Sequence, residues 1–99
     1  MASDSKPHHL TLVGPLDFQG TPAVALRLGE LAAFPLLIDL SKVTEVDASG
    51  LALIIAEWKR RKEDGGVYIV HSKTAKVRKR FADTGLDSVL PFSRRTEER

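Results

Sequence analysis

The chain has 99 residues, of which 42% are hydrophobic and 28% charged, and it contains no cysteine. This length fits one folded domain and leaves no room for a second catalytic one. The absence of cysteine excludes a disulfide framework, an iron–sulfur cluster and a thiol nucleophile. The formal net charge is +2, but residues 1–50 carry −3 and residues 51–99 carry +5.

The two ends of the chain are polar and lack apolar periodicity. We therefore predict disordered segments over residues 1–7 and 93–99 and a single domain over residues 8–92. The first residues lack the apolar stretch of a signal peptide, and no apolar run approaches the roughly 18 residues that span a bilayer. We expect a cytoplasmic protein without membrane insertion.

The first half of the domain predicts a strand, a helix and a second strand. Residues 10–13 predict a short strand that Gly14 and Pro15 end, because proline cannot donate to a β-ladder. The predicted N-cap, first-turn proline and apolar stripe of the helix are Thr21, Pro22, Val24, Leu28 and Leu31. The apolar run over residues 36–40 predicts a central parallel strand covered on both faces.

The second half predicts a long helix, a strand and a last helix. The long helix covers residues 51–64 and is closed by glycines, and residues 67–70 form the strand. The last helix begins after Thr74 and ends at Gly85. The core is completed by Leu86, Val89, Leu90 and Phe92, with a short edge strand. This alternation of strands and helices predicts an α/β layer structure.

Ser49 lies where the central strand passes into the long helix, and it has three interpretations. It is the helix N-cap, a catalytic nucleophile, or a phosphorylation site at a helix start. A nucleophile elbow needs glycines two residues before and after the serine, but those positions hold Asp47 and Leu51. No histidine base is suggested by spacing, so we expect no enzymatic activity.

Helical spacing favours the phosphorylation site. At 100° per residue, the core face of the long helix comprises Leu51, Ile54, Ile55, Trp58 and the stem of Lys62. The outward face comprises Leu53, Ala56, Glu57 and Arg60, and Ser49 projects to the same side. Apolar side chains beside a modifiable serine, extended by Ala52, predict a docking patch for a protein partner.

With these residues the chain resembles the STAS domain family, the sulfate-transporter and anti-sigma-factor-antagonist family. The resemblance runs from about Thr11 to Phe92. It is carried by four segments, Gly14–Asp17, Ile38–Thr44, Val46–Ala52 and Thr84–Pro91, together with Gly66. The family fold is a small mixed β-sheet, here of about four strands, with helices packed on one face.

The resemblance implies a binding module that phosphorylation controls. In anti-sigma factor antagonists of this family, the serine that matches Ser49 is phosphorylated by an anti-sigma factor that is itself a serine kinase. The unphosphorylated form binds that kinase and frees a sigma factor, and a serine phosphatase resets the cycle. The resemblance assigns Asp47, Ala48, Gly50 and Asp17 to the loops that shape the phosphorylation site.

A second branch of the family offers an alternative. Cytoplasmic STAS subunits of lipid-asymmetry ABC transporters bind and regulate the transporter ATPase. This chain resembles them in its shortness and in the Val-Asp-x-x-Gly-Leu-Ala-Leu run that leads into Glu57 and Trp58. That branch usually carries its hydroxyl residue one position earlier, where this chain has Ala48. Ser49 therefore favours the antagonist branch.

Five cations crowd the last helix and its approach, namely Lys73, Lys76, Arg78, Lys79 and Arg80. Such a patch is typical of binding to nucleic acid or anionic lipid, or of a solvated helix face. No aromatic platform accompanies the charges, so we favour the solvated face and expect no direct binding to nucleic acid. The sequence contains no Gly-x-x-x-x-Gly-Lys phosphate loop, and we expect no cofactor, metal or small-molecule substrate.

Overall fold

Strands and helices alternate along the chain in a computed structural model of the protein, which describes residues 8–31, 35–62 and 66–93. The strands are β1 (His8–Leu16), β2 (Leu36–Val46), β3 (Val67–Val70) and β4 (Phe92–Ser93). The helices are α1 (Thr21–Gly29), α2 (Ala48–Arg60) and α3 (Ala75–Asp83), followed by a 3-10 turn over Leu86–Ser88. The predicted α/β class with four strands is confirmed.

The sheet has the order β1-β2-β3-β4, and each neighbouring pair is parallel. The family resemblance implies a mixed sheet, but the described strands run in one direction. The physical reason is the connections: a helix lies between each strand and the next, and returns the chain to the starting end of the sheet. The carboxyl ends of the strands therefore meet at one edge.

One face of the sheet carries the core. Side chains of Leu28 from α1, Ile54 from α2 and Phe81 from α3 join the cluster formed by the inward residues of the strands. Burial alternates along the start of β2, where Ile38 is buried and its neighbours are half-buried. The prediction that this strand is covered on both faces is therefore wrong, and the alternation is that of a strand packed on one face.

Strands β1 and β2 are both longer than predicted. Gly14 and Pro15 do not end β1, because they lie within it at irregularities of its pairing with β2. The register between β1 and β2 shifts between Thr11 and Val13 and again between Gly14 and Pro15. Each shift adds a residue to β2, so the strands stay in step until Leu16 lies opposite Val46. This register brings the residues that follow β1 beside those that follow β2.

The helix boundaries also differ from prediction. Helix α2 begins at Ala48 and ends at Arg60, whereas the prediction was residues 51–64, of which residues 63 and 64 lie outside the described residues. The N-cap of α1 is Gly20, so Thr21 is its first residue and not its cap. Thr74 is the N-cap of α3 as predicted, although its side chain makes no capping hydrogen bond.

The segments predicted to be disordered lie almost entirely outside the described residues. Residues 1–7 and 94–99 lie outside the described residues, and Ser93, assigned to the tail, is the last residue of β4. Across the three described ranges, none of the helices combines the length and apolar character needed to cross a membrane.

Candidate functional site

The candidate site lies where the carboxyl ends of β1 and β2 meet the start of α2. Leu16 and Val46 are partners in the sheet, and the backbone N–H of Asp47 donates to the carbonyl oxygen of Leu16 at 3.3 Å. Ligand and partner sites in α/β sheets gather at such strand ends. The residues that the sequence analysis assigned to two separate loops are thus brought together.

Asp47 links these two loops. Its backbone is extended (φ −111°, ψ −171°), and its Oδ1 accepts a hydrogen bond from the backbone N–H of Gly50 at 3.1 Å. Its Oδ2 accepts from the backbone N–H of Phe18 at 2.9 Å. Asp47 is therefore the N-cap of α2, and the interpretation of Ser49 as the cap is wrong. One carboxylate caps the helix and also binds the turn after β1.

The pKa of the Asp47 carboxyl is lowered, chiefly by the hydrogen bond from the backbone N–H of Gly50. Desolvation opposes this shift, but the N–H groups of Phe18 and Ser49 and the charge of Arg80 lower the pKa further. Arg80 reaches this edge of the sheet from α3, where its Nε donates to the carbonyl oxygen of Val46 at 3.0 Å. The carboxylate is consequently ionised at neutral pH.

Ser49 is the second residue of α2 and is half-buried. Because Asp47 supplies the cap, the serine hydroxyl is not needed to hold the helix start. In the described part of the chain this hydroxyl makes no hydrogen bond. Ser49 therefore combines partial accessibility, an uncommitted oxygen and a position at a helix N-terminus.

Close packing around position 50 requires a glycine there. A Cβ atom at this position would lie 2.4 Å from the carbonyl oxygen of Leu16 and 2.6 Å from Cγ2 of Val46. Both contacts are shorter than any side chain tolerates, and the first is with backbone. The glycine after Ser49 thus lets α2 approach the end of β1 closely enough for Asp47 to bind the turn.

Asp17 shapes the turn between β1 and α1. Its Oδ1 accepts from the backbone N–H of Gly20 at 3.0 Å, and its carbonyl oxygen accepts from the N–H groups of Gly20 and Thr21. Its predicted place in a loop beside the Ser49 loop agrees with this geometry, since the next residue, Phe18, bonds to Asp47. The Phe18 side chain is 74% exposed. Sequence reasoning missed Phe18, and an apolar residue inside a polar turn was the available signal.

The predicted partner face of α2 needs correction. Ala56 and Arg60 are exposed as expected, but Glu57 is buried at 7% exposure, and Leu53 is half-buried and packed against the core. The buried side of the helix comprises Gly50, Leu51, Ile54 and Glu57 and continues to Arg61. The helix is therefore rotated about its axis from the predicted orientation. The rotation is smaller than one residue step, which is about 100° in an α-helix.

The same rotation moves several residues of the predicted core face partly out of the core. Ile55 and Trp58 are half-buried, and Lys62 is exposed with its Nζ 5.2 Å from the centroid of the Trp58 ring. The exposed line of α2 comprises Ala48, Ala52, Ala56 and Lys59. Ser49 lies beside this line at the amino end of the helix.

Glu57 is buried because two arginines bind it. Arg61 Nε lies 2.8 Å and Arg60 Nη2 lies 2.9 Å from Glu57 Oε1. Arg61, which is 2% exposed, also donates to the carbonyl oxygen of Leu28 at 3.0 Å. Burial raises the pKa of Glu57, but both arginines outweigh it, so the pKa is lowered overall. Glu57 and Arg61 join α1 to α2 and are buried, whereas Arg60 covers Glu57 from the exposed side.

The cations of α3 are used within the fold. Lys76 pairs with Glu45 at 3.2 Å and Lys79 with Asp83 at 2.9 Å. The Nε of Arg78 donates to the carbonyl oxygen of Ser72. Together with the bond from Arg80 described above, these contacts give each cation of α3 a partner within the fold, on a helix face that is exposed as predicted.

A family model described as "Mlab, STAS domain" matches residues 1–91. The chain belongs to the STAS domain family. It is a STAS-type protein-interaction module, and the parallel strands, the helices and the Ser49 turn are its version of the family fold. A comparison with curated proteins finds no match.

Proposed function

We propose that this STAS domain is an anti-sigma factor antagonist, a non-enzymatic cytoplasmic module that phosphorylation of Ser49 controls. In its unphosphorylated form it binds an anti-sigma factor that is a serine kinase, and so releases a sigma factor. A serine phosphatase reverses the modification. The observation that carries this proposal is the uncommitted, half-buried hydroxyl of Ser49 at the start of α2, with helix capping assigned to Asp47.

Electrostatics at the site explain how one phosphate would switch binding. A phosphate on Ser49 carries about −1.5 to −2 charges at pH 7. It would stand two residues from the ionised carboxylate of Asp47, which already accepts the first N–H groups of the helix. A partner that covers this surface would have to bury both anions, at a cost of several kcal/mol unless each is paired. Since about 1.4 kcal/mol is tenfold in affinity, one phosphate suffices to dissociate a micromolar complex.

The proposal is tested with purified components. The protein is incubated with MgATP and each purified kinase-type anti-sigma factor of the source organism, and the modified residue is mapped by mass spectrometry. We expect phosphate on Ser49 and none on Ser49→Ala. We also expect Ser49→Asp to bind the same kinase at least about tenfold more weakly than the unmodified protein.

Ala48→Ser is a matched control, because it places a hydroxyl on the exposed neighbouring position of the same helix turn. In the combined variant Ala48→Ser, Ser49→Ala we expect little phosphorylation, since the kinase recognises where the hydroxyl lies on the helix as well as its presence. Equal phosphorylation of wild type and Ser49→Ala would contradict the proposal, as would unchanged binding of Ser49→Asp.

A second candidate function is regulation of the ATPase of a lipid-trafficking ABC transporter. The observation that favours it is the exposed alanine line of α2, Ala48, Ala52 and Ala56, which allows close approach of another protein without any modification. The discriminating measurement is co-purification with the ABC ATPases of the organism. A stable complex that Ser49→Asp leaves intact would favour this candidate over the antagonist.

A further inference from the structure

A cavity of about 200 Å³ lies between strand β1 and helix α1. Residues 11–16 of β1 form one wall, Val24 and Arg27 of α1 form the other, and Val43 of β2 completes the lining. All of these residues belong to the described part of the chain. The cavity is separate from the surface that carries Ser49, which is not among its lining residues.

The cavity lies where β1 departs from regular pairing. Both register shifts between β1 and β2 fall within the segment that lines it. Gly14 has a left-handed backbone (φ 81°), and a Cβ atom at this position would meet nothing within 4 Å. Irregularities of this kind increase the local twist of a strand pair. The strand thus leaves a space beside α1 that no side chain of the lining fills.

The walls of this cavity are mostly apolar. Leu12, Leu16 and Val43 are buried, and Val24 is half-buried and packed against the core. A hydrocarbon group that enters the cavity would cover apolar surface that water otherwise touches, which is favourable in proportion to the area covered. The cavity therefore suits a short alkyl chain.

Arg27 adds one positive charge to the lining. Its side chain is exposed, and within the described ranges its guanidinium group makes no ion pair or hydrogen bond. The other described arginines each bond to a group of the fold, namely Arg60, Arg61, Arg78 and Arg80. None of the described residues that line the cavity is acidic. An anion at the cavity would therefore meet a free guanidinium group and no carboxylate.

We propose that this cavity binds a small amphiphilic carboxylate, in which a short alkyl chain ends in one carboxylate group. The alkyl chain contacts the apolar walls, and the carboxylate pairs with the guanidinium group of Arg27. At about 30 Å³ for each water-sized group, the volume accommodates roughly seven non-hydrogen atoms, which is the size of pentanoate.

Other classes of ligand fit the cavity less well. A nucleotide is several times too large for the volume, and a metal cation would meet Arg27 and no carboxylate. A small inorganic anion would pair with Arg27 but leave the apolar walls in contact with water. A neutral alkyl compound would cover the walls but leave the guanidinium group without a partner. Only an alkyl chain with an anionic end uses both features of the lining.

The test titrates the isotope-labelled full chain with sodium pentanoate and follows the amide signals by NMR. We expect saturable shifts at residues 11–16, Val24, Arg27 and Val43, with a dissociation constant on the order of 1 mM for so small a ligand. Acetate keeps the carboxylate without the chain and should bind about tenfold more weakly or worse. Pentanamide has the same size without the charge and should bind at least about fivefold more weakly.

Two variants place the ligand in this cavity. Arg27→Gln removes the charge from an exposed side chain and should weaken pentanoate binding by about fivefold or more. Its matched control is Lys73→Gln, which removes an exposed cation outside the cavity and should leave binding unchanged. Val24→Phe adds a ring to the wall and should abolish binding. If Val24→Phe does not fold, as judged from its amide spectrum, the comparison of Arg27→Gln with Lys73→Gln decides alone.

Several results would overturn the proposal. Absence of saturable shifts at the lining residues would show that the cavity takes no such ligand. Equal affinity for acetate and pentanoate would show an adventitious ion only, and equal affinity for pentanamide would show that the charge of Arg27 has no part. Unchanged binding in Arg27→Gln would place the carboxylate elsewhere. None of these results depends on a kinase or on Ser49, so the proposed function is tested independently.

Discussion

The two ends of α2 use charged side chains in opposite ways. At the amino end, Asp47 is near solvent and its carboxylate is held by backbone N–H groups of Gly50 and Phe18. At the carboxyl end, Glu57 is buried and its carboxylate is held by the guanidinium groups of Arg60 and Arg61. The first arrangement leaves the neighbouring surface open to a partner, and the second closes the surface against α1.

This difference shows why charge at a helix surface does not by itself mark a binding site. Glu57 and Arg60 look like a solvated face in the sequence, but they belong to a network that reaches the carbonyl oxygen of Leu28. Ser49 and Asp47 sit at the end where the helix N–H groups and the strand ends meet. The open end leaves Ser49 partly accessible beside the strand ends, and the closed end joins α2 to α1.

The largest expected effect tests the closed end. Glu57→Ala leaves the guanidinium of Arg61, which is 2% exposed, buried without its carboxylate. We expect the free energy of unfolding in urea to fall by about 3–5 kcal/mol. Arg60→Ala is the control, because its side chain is 53% exposed and its ion pair is worth about 1 kcal/mol or less. Equal losses from the two variants would show that burial does not distinguish the partners of Glu57.

A smaller effect tests the close packing at the open end. Gly50→Ala places a Cβ against the Leu16 carbonyl oxygen and Val46, and we expect a loss of about 1–3 kcal/mol in the free energy of unfolding. Gly29→Ala in α1 is the matched control, since a Cβ there meets nothing within 4 Å. It should stabilise the protein by about 0.5–1 kcal/mol through helix propensity. Stabilisation by both substitutions would refute the close approach of α2 to β1.

The smallest effect tests which residue caps α2. Ser49→Ala should change the free energy of unfolding by no more than about 0.5 kcal/mol, because its hydroxyl does not cap the helix. Asp47→Ala should lower stability clearly more, since it removes both the cap and the bond to Phe18. Urea midpoints of the two variants measured side by side decide between them. A larger loss from Ser49→Ala would reverse the assignment of the cap.

The same pair of variants predicts a pH dependence. The folded-state pKa of Asp47 lies below the ordinary aspartate value of 3.8, so its contribution is present at neutral pH and is lost as pH falls through the folded-state pKa. The difference in stability between wild type and Asp47→Ala should therefore be constant above about pH 5 and shrink below pH 4. Ser49→Ala should follow the wild-type pH profile throughout.

Much of the fold was predictable because the elements are strongly patterned. The strand–helix alternation and the apolar residues of α1 and α3 followed from local spacing, and the family resemblance located Ser49 and its glycine. The strand ends were less predictable. Pro15 predicts the end of a strand, yet it lies inside β1 at a register shift. Its missing N–H is tolerated there because β1 is at the edge of the described sheet.

The sequence by itself determined the α/β class, the single-domain size and a serine at the start of the second helix, because these depend on local pattern and on motif. Only the tertiary structure decided that Asp47 and not Ser49 caps α2, that Glu57 is buried, and that Phe18 stands beside the site. Each of these depends on residues about thirty positions apart meeting at the strand ends or on the rotation of α2 about its axis. Local pattern does not contain that information, since a rotation smaller than one residue step exchanges a solvated carboxylate for a buried one.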